Sequence, residues 1–136
     1  MPKPAQSRAS VSIGTSLPAT RVIDLAETVS RSAEDIDTLV QIRSRSAAGL
    51  ELALRPLGNT VEIMRFDVQI DRAVGRTTAR TVIQAFETKQ GGMGGLVPVA
   101  RRKLLGFPSY VAYMTRLAKA VSLEDPAASV TVVTGD

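Results

Sequence analysis

The residue types that carry out most enzyme chemistry near neutral pH are missing from this sequence. Its 136 residues include no histidine and no cysteine. Histidine is the usual general base and a common metal ligand, and cysteine is a nucleophile and a zinc ligand. Their absence excludes disulfides, zinc sites built from these residues, and Ser-His or Cys-His nucleophile pairs. We therefore expect a protein with no catalytic residues, no bound metal and no cofactor.

One set of charged residues could still form an acid–base or ligand-binding group if neighbouring strands bring it together. Its members are Glu51, Arg55, Arg65, Asp67, Arg80 and Glu87. On the inner face of a curved sheet they would be credible functional groups, whereas on an exposed face they would be weak cross-strand ion pairs. We favour the exposed face, because Met64, Phe66 and Val68 already occupy the buried one. An enzyme built on Arg65, Asp67 and Tyr113 is our last hypothesis.

The basic cluster Arg101, Arg102 and Lys103 lies in a chain with a net charge of +4. Such a cluster can bind the phosphates of nucleic acids or lipids. Nucleic acid is not the partner that we expect, because the nearby aromatic residues follow on a predicted helix rather than alternating with the cluster. The glycine-rich segment 91–95 lacks the Gly-Lys-Ser/Thr and the following helix of a nucleotide loop, so it predicts a hairpin loop or a flap.

A long C-terminal amphipathic helix is the element around which we expect the fold to be organised. Apolar residues recur at steps of three and four between Leu104 and Ser122, which is the period of a helix. They are Phe107, Tyr110, Val111, Met114, Leu117, Ala118 and Val121. Tyr113 lies beside this stripe, where it could border a groove. The helix needs an apolar surface to pack on, and the strand-like block 48–101 can provide it.

The segment 20–29 fits one face of a strand or of a helix equally well. The sequence Ser32-Ala33-Glu34-Asp35 resembles a capping box and predicts a helix from Ala33 to Arg43, which makes the preceding segment a strand. Alternating and β-branched residues predict further strands at 50–55, 61–70, 77–87, 96–100 and 128–133. The adjacent apolar residues Ile63 and Met64 predict a β-bulge.

These elements predict an α+β fold with the order β-α-β-β-β-β-α-β. An antiparallel meander is packed by the long C-terminal helix, with one shorter helix near the N-terminus. Residues 1–18 are predicted to form a flexible arm, which could contain a short strand at Ser10 to Ile13, and residues 19–136 a single domain. No apolar run reaches the roughly 18 residues of a membrane span. The N-terminus lacks a secretory signal, so we expect a cytoplasmic location.

The order of elements resembles that of the helix-grip (START or Bet v 1-like, polyketide cyclase-like) superfamily. The resemblance rests on Val22–Val29 followed by Ser32-Ala33-Glu34-Asp35, and on the helix Pro108–Ser122. It implies a hydrophobic small molecule held between a curved sheet and the last helix. The residues that would line this groove are Leu52, Met64, Phe66, Phe86, Tyr110 and Met114. Because fewer strands are predicted here than in that superfamily, a homodimer could complete the cavity.

Three functional hypotheses follow. The first is non-catalytic binding of a hydrophobic small molecule in this groove, by a protein that forms a homodimer. The second is a structural or protein-interaction module that uses a free sheet edge or a helix face and holds no ligand. The third is anion or nucleic-acid binding through Arg101, Arg102 and Lys103.

Overall fold

The computed structural model describes residues 5–32, 38–56, 62–87 and 104–133. A short 3-10 helix, Ala5–Arg8, comes before the first strand. The strands are β1 (Ser10–Thr15), β2 (Thr38–Ser46), β3 (Gly49–Pro56), β4 (Met64–Ala73), β5 (Arg76–Phe86) and β6 (Ser129–Val133), and the helices are α1 (Ala19–Ser32) and α2 (Phe107–Glu124). The α+β class and the order β-α-β-β-β-β-α-β are therefore confirmed.

The described strands form one antiparallel sheet of six strands in the order β2-β3-β4-β5-β1-β6. Strands β2 to β5 are joined as a meander. The first strand of the chain, β1, does not lie at the edge: it pairs with β5 on one side and with β6 on the other. Strands β2 and β6 are therefore the two edges of this sheet.

Both helices pack on the same face of the sheet, because alternate residues of the strands belong to the same buried cluster as the helix residues. Val11, Leu52 and Phe66 from the sheet join Val22 and Leu117 from the helices in that cluster. Helix α1 contacts β2, β3 and β4, and helix α2 contacts α1 and β1. Helix α2 therefore lies over β1, and its tyrosines reach Phe66 of β4, whereas the valines of β6 remain largely exposed. No helix among the described residues is long and apolar enough to cross a membrane.

The two elements before β3 differ from the prediction. The segment predicted as a strand at 20–29 lies in α1, and the segment predicted as a helix to Arg43 contains β2 from Thr38 onward. The C=O of Pro18 accepts the N–H of Val22, which is the first bond of a helix, so Pro18 rather than Ser32 marks the helix start. The predicted order of elements is confirmed, but its first strand is β1 rather than the segment 20–29, and its first helix is α1 rather than the segment 33–43.

The short strand predicted at Ser10 to Ile13 is present and extends to Thr15, so this part of the predicted arm is an inner strand of the sheet. The predicted bulge at Ile63 and Met64 was misplaced: the register between β4 and β5 shifts between Arg65 and Phe66, which leaves Gln84 of β5 as the extra residue. The predicted strands at 77–87 and 128–133 correspond to β5 and β6. The segment 91–95 and the predicted strand 96–100 lie outside the described residues.

Candidate functional site

The residues predicted to line a ligand groove lie together in one buried cluster between the sheet and the helices. Leu52, Met64, Phe66, Tyr110 and Met114 are buried, and Phe86 is half-buried at the end of β5. The ring of Phe66 meets those of Tyr110 and Tyr113 edge-on, with centroids 4.9 Å and 5.1 Å apart. Such edge-to-face contacts stabilise a packed core. A ligand at this point would have to displace these rings.

A chain of hydrogen bonds runs through the same interior. The N–H of Val11 donates to Oγ1 of Thr81 at 3.0 Å, and this hydroxyl lies 2.9 Å from Oη of Tyr110. The Tyr110 hydroxyl donates to the C=O of Ala9 at 2.7 Å. Burial raises the pKa of Tyr110 to about 12, although the bond with Thr81 acts in the opposite direction. The phenol is therefore a structural link between α2 and the start of β1, and it stays protonated at neutral pH.

The placement predicted for Tyr113, beside the helix stripe at the border of a groove, was wrong. The side chain is fully buried and its hydroxyl donates to the C=O of Ala26 in α1 at 2.8 Å. Burial raises the pKa of this phenol as well. The face of α2 that packs inward is centred between Tyr110, Tyr113 and Leu117, and Val111 is partly exposed instead.

Two of the predicted groove residues border a small surface depression of about 190 Å³. It lies at the ends of β4 and β5 and is lined by Glu62, Ile63, Met64, Arg65, Ala85, Phe86 and Glu87. Ligand pockets for drug-sized molecules usually measure about 300 to 1,000 Å³ and are mostly apolar. This depression is smaller, and three of its lining residues are charged. The predicted anion-binding residues Arg101, Arg102 and Lys103 lie outside the described residues, so that hypothesis stays a prediction.

Glu51, Arg65 and Asp67 lie on the sheet face opposite the helices, as we predicted for Arg65 and Asp67. Arg65 pairs with Glu62 at 3.0 Å and approaches Glu51 at 3.7 Å. Asp67 stands directly across from Glu51 on the neighbouring strand and accepts a hydrogen bond from Gln84. Partial burial, with the nearby charge of Glu51 as a smaller cause, raises the pKa of Asp67. These contacts are those of a solvated ion-pair network, and exposed pairs contribute little to stability.

The edge strand β2 carries features that prevent pairing with another chain. Its register with β3 shifts between Ile42 and Ser44, so Arg43 is an extra residue that disrupts the strand. Arg43 forms an ion pair with Glu62, and Arg45 pairs with Asp24 of α1 at 2.6 Å. Bulges and charged side chains are the usual means by which proteins protect a sheet edge.

The opposite edge, β6, has none of these features. Its sequence, Ser-Val-Thr-Val-Val, contains no charged residue and no proline, and its register with β1 is regular over all five residues. The residues Val130, Val132 and Val133 are 40%, 54% and 46% exposed. Among the described residues no strand pairs with its outer side. An uncharged, regular and apolar edge is a template for pairing with another strand.

Particular side chains hold β6 in place. The carboxylate of Asp125, between α2 and β6, accepts hydrogen bonds from the hydroxyl of Thr15 at 2.6 Å and from the N–H of Ser16 at 3.0 Å. These bonds lower the pKa of Asp125, that of Thr15 being the largest cause. On the outer face, Arg76 passes over Gly14, where a side chain would clash with it, and donates to Ser129 at 3.0 Å. The edge is thus fixed at one end of β6.

Comparisons with protein-family models, with curated proteins and with solved structures find no match. No group of three or more acidic side chains among the described residues is arranged to hold a metal ion.

The sequence predicted the final edge strand at 128–133, but it did not show that this edge is unprotected while the opposite edge is protected. The absence of charge from 129–133 was a usable signal. That β6 is unprotected while β2 is protected becomes clear only from the order of the strands, because β1 separates β6 from the meander.

Proposed function

We propose that this protein is a non-catalytic interaction module that binds its partner by adding a strand to the free edge of β6. The observation that carries the proposal is the contrast between the two edges of the sheet. Strand β2 is interrupted at Arg43 and carries paired charges, whereas β6 is regular, uncharged and lined with exposed valines. In strand addition, backbone hydrogen bonds supply affinity and alternate side chains supply specificity.

The packed interior supports this proposal over ligand binding beneath α2. Phe66, Tyr110 and Tyr113 occupy the space between the sheet and the helix, and both phenol hydroxyls have hydrogen-bond partners. A rigid core of this kind suits a scaffold that presents one edge, because the edge is then already in its binding conformation and little ordering is needed on association.

Site-specific photo-crosslinking in the organism that encodes the chain tests the proposal. A photo-reactive amino acid at Val132 should give a discrete protein adduct, whereas the same group at Val74, which is fully exposed in the β4–β5 turn, should give none. A second substitution, Val130→Pro, should remove the adduct, because proline on an edge strand cannot donate to an added strand. Equal labelling from both positions, or none from position 132, would refute strand addition at β6.

A second candidate function is binding of a small hydrophobic molecule at the depression beside Met64 and Phe86, which brings two of the predicted groove residues together. Native mass spectrometry of the purified protein distinguishes this candidate from the first. A mass increment of small-molecule size that disappears on denaturation would favour ligand binding. Masses of the bare chain or its multiples would favour the interaction module.

A further inference from the structure

We infer that the partner at this edge is a second copy of the same chain, with the two β6 strands paired antiparallel about a twofold axis at Thr131. The inference rests on the proposed function and specifies its partner. It follows from the directions of the backbone groups of β6, from the symmetry of its side chains and from its lack of charge.

The hydrogen bond from Val11 fixes which backbone groups of β6 face outward. The N–H of Val11 points to Thr81 on the β5 side of β1, so it does not point toward β6. Val11 is the register partner of Val132. In an antiparallel pair, residues that do not bond to each other direct their N–H and C=O groups to their other neighbours. The backbone groups of Val132, and of Val130 two residues earlier, are therefore directed to the free edge.

An antiparallel pair centred on Thr131 matches these groups to one another. Val130 of each copy then stands opposite Val132 of the other, and both residues direct N–H and C=O groups across the interface. This arrangement makes about four backbone hydrogen bonds, and the central Thr131 pair is of the close, non-hydrogen-bonded type. With this centre, Ser129 stands opposite Val133, so all five residues of β6 are paired.

The side chains fit the same arrangement. Val130 and Val132 are register partners of Ile13 and Val11, so they lie on the sheet face that the helices cover. In the dimer the two valines of one copy would meet those of the other and continue the apolar face across the interface. Thr131 lies on the opposite face, beside its own symmetry mate. Because β6 carries no charge, the two copies meet without like-charge repulsion.

The pairing should be weak and concentration-dependent. A strand of five residues is a small contact, and interfaces that bury less than about 1,200 Å² in total are usually weak or transient. We expect a dissociation constant roughly in the micromolar range, so that the dimer fraction changes with concentration.

Analytical ultracentrifugation of complementary charge variants tests the inference. Thr131→Arg and Thr131→Glu place like charges beside each other at the axis, and each variant alone should self-associate about fivefold more weakly than the wild type. An equimolar mixture of the two should regain the dimer, because opposite charges then meet. Thr28→Arg is the matched control: it adds the same charge at an exposed position of α1 and should leave self-association unchanged.

Each other outcome overturns a defined part of the reasoning. A wild type that stays monomeric up to about 500 µM would exclude the second copy as the partner, while crosslinking at Val132 would still decide the proposed function. If a wild-type dimer is lost in Val132→Pro but not in the Thr131 variants, the edge is used in a different register. A dimer that survives Val132→Pro does not form through this edge at all. Circular dichroism of every variant separates lost pairing from lost folding.

Discussion

Replacing Tyr110 with phenylalanine should destabilise the fold more than the same change at Tyr113. The two substitutions remove one oxygen each and leave the buried ring in place. The Tyr110 hydroxyl donates to the C=O of Ala9, and it accepts from Thr81, whose own oxygen already accepts the N–H of Val11. Loss of this hydroxyl leaves the C=O of Ala9 and the hydroxyl of Thr81 without this partner.

The expected magnitudes follow from the number of groups left unpaired. Leaving a buried donor or acceptor without its partner costs about 1 to 3 kcal/mol, so the two groups left by Tyr110→Phe should lower the free energy of unfolding by about 2 to 6 kcal/mol. Tyr113→Phe removes one bond to the C=O of Ala26, which also belongs to the hydrogen-bond ladder of α1. Its cost should be about 0.5 to 1.5 kcal/mol.

Urea denaturation followed by circular dichroism measures both values. The slope of unfolding free energy against urea should be unchanged, because each variant keeps its ring and exposes the same surface on unfolding. A double-mutant cycle with Thr81→Val should give a coupling energy of about 1 kcal/mol between Thr81 and Tyr110. Equal costs for the two tyrosine variants, or a coupling near zero, would refute the hydrogen-bond chain.

Two further predictions concern pH and the glycines. The folded pKa of Tyr110, about 12, lies above that of an unfolded tyrosine, so the free energy of unfolding should fall as the pH rises from about 10 to about 12. The chain has two tyrosines, and their absorbance titration should show phenolate appearing together with unfolding. Phenolate that appears at about pH 10 while the protein is still folded would contradict this prediction. Gly49→Ala should prevent stable folding, because the φ of Gly49 is 140° and a Cβ would lie 1.8 Å from the carbonyl oxygen of Val68. Gly75 has a φ of 72° and open space around it, so Gly75→Ala should lower the free energy of unfolding by only about 1 to 2 kcal/mol. Thermal denaturation of both variants measures the difference.

The later elements of the fold were predictable because their patterns are long and regular. Alternation in β4 and the helical stripe of α2 each identify one structure. The segment from Thr20 to Arg43 was harder to predict, because Ile23, Leu25 and Val29 fit one face of a strand, whereas Val22, Leu25, Ala26 and Val29 fit one face of a helix. Pro18 was the better signal for the start of the helix, and Thr38, Val40 and Ile42 alternate as a strand requires.

The burial of these apolar residues was also predictable, but whether they line a cavity or form a packed core was not. The same apolar residue types line a cavity and fill a core, so the sequence could place Leu52, Phe66 and Tyr110 in the interior without showing whether space remained between them. The partners of the tyrosine hydroxyls could not be deduced either. Tyr110 bonds to Ala9, 101 positions away, and no local pattern specifies a contact at that separation.

The position of β1 has a consequence for how the chain is assembled. Strand β1 is made first, yet its two neighbours come from residues 76–86 and 129–133, the last of which are made at the very end of the described chain. During synthesis both edges of β1 are therefore unpaired at first. After β5 pairs with one edge, the other edge stays unpaired until β6 has been made. Such long-range pairings slow folding. Until β6 is made, the side of β1 that it later covers is an unpaired strand edge, so the nascent chain passes through a stage in which this inner strand is open to pairing with other chains.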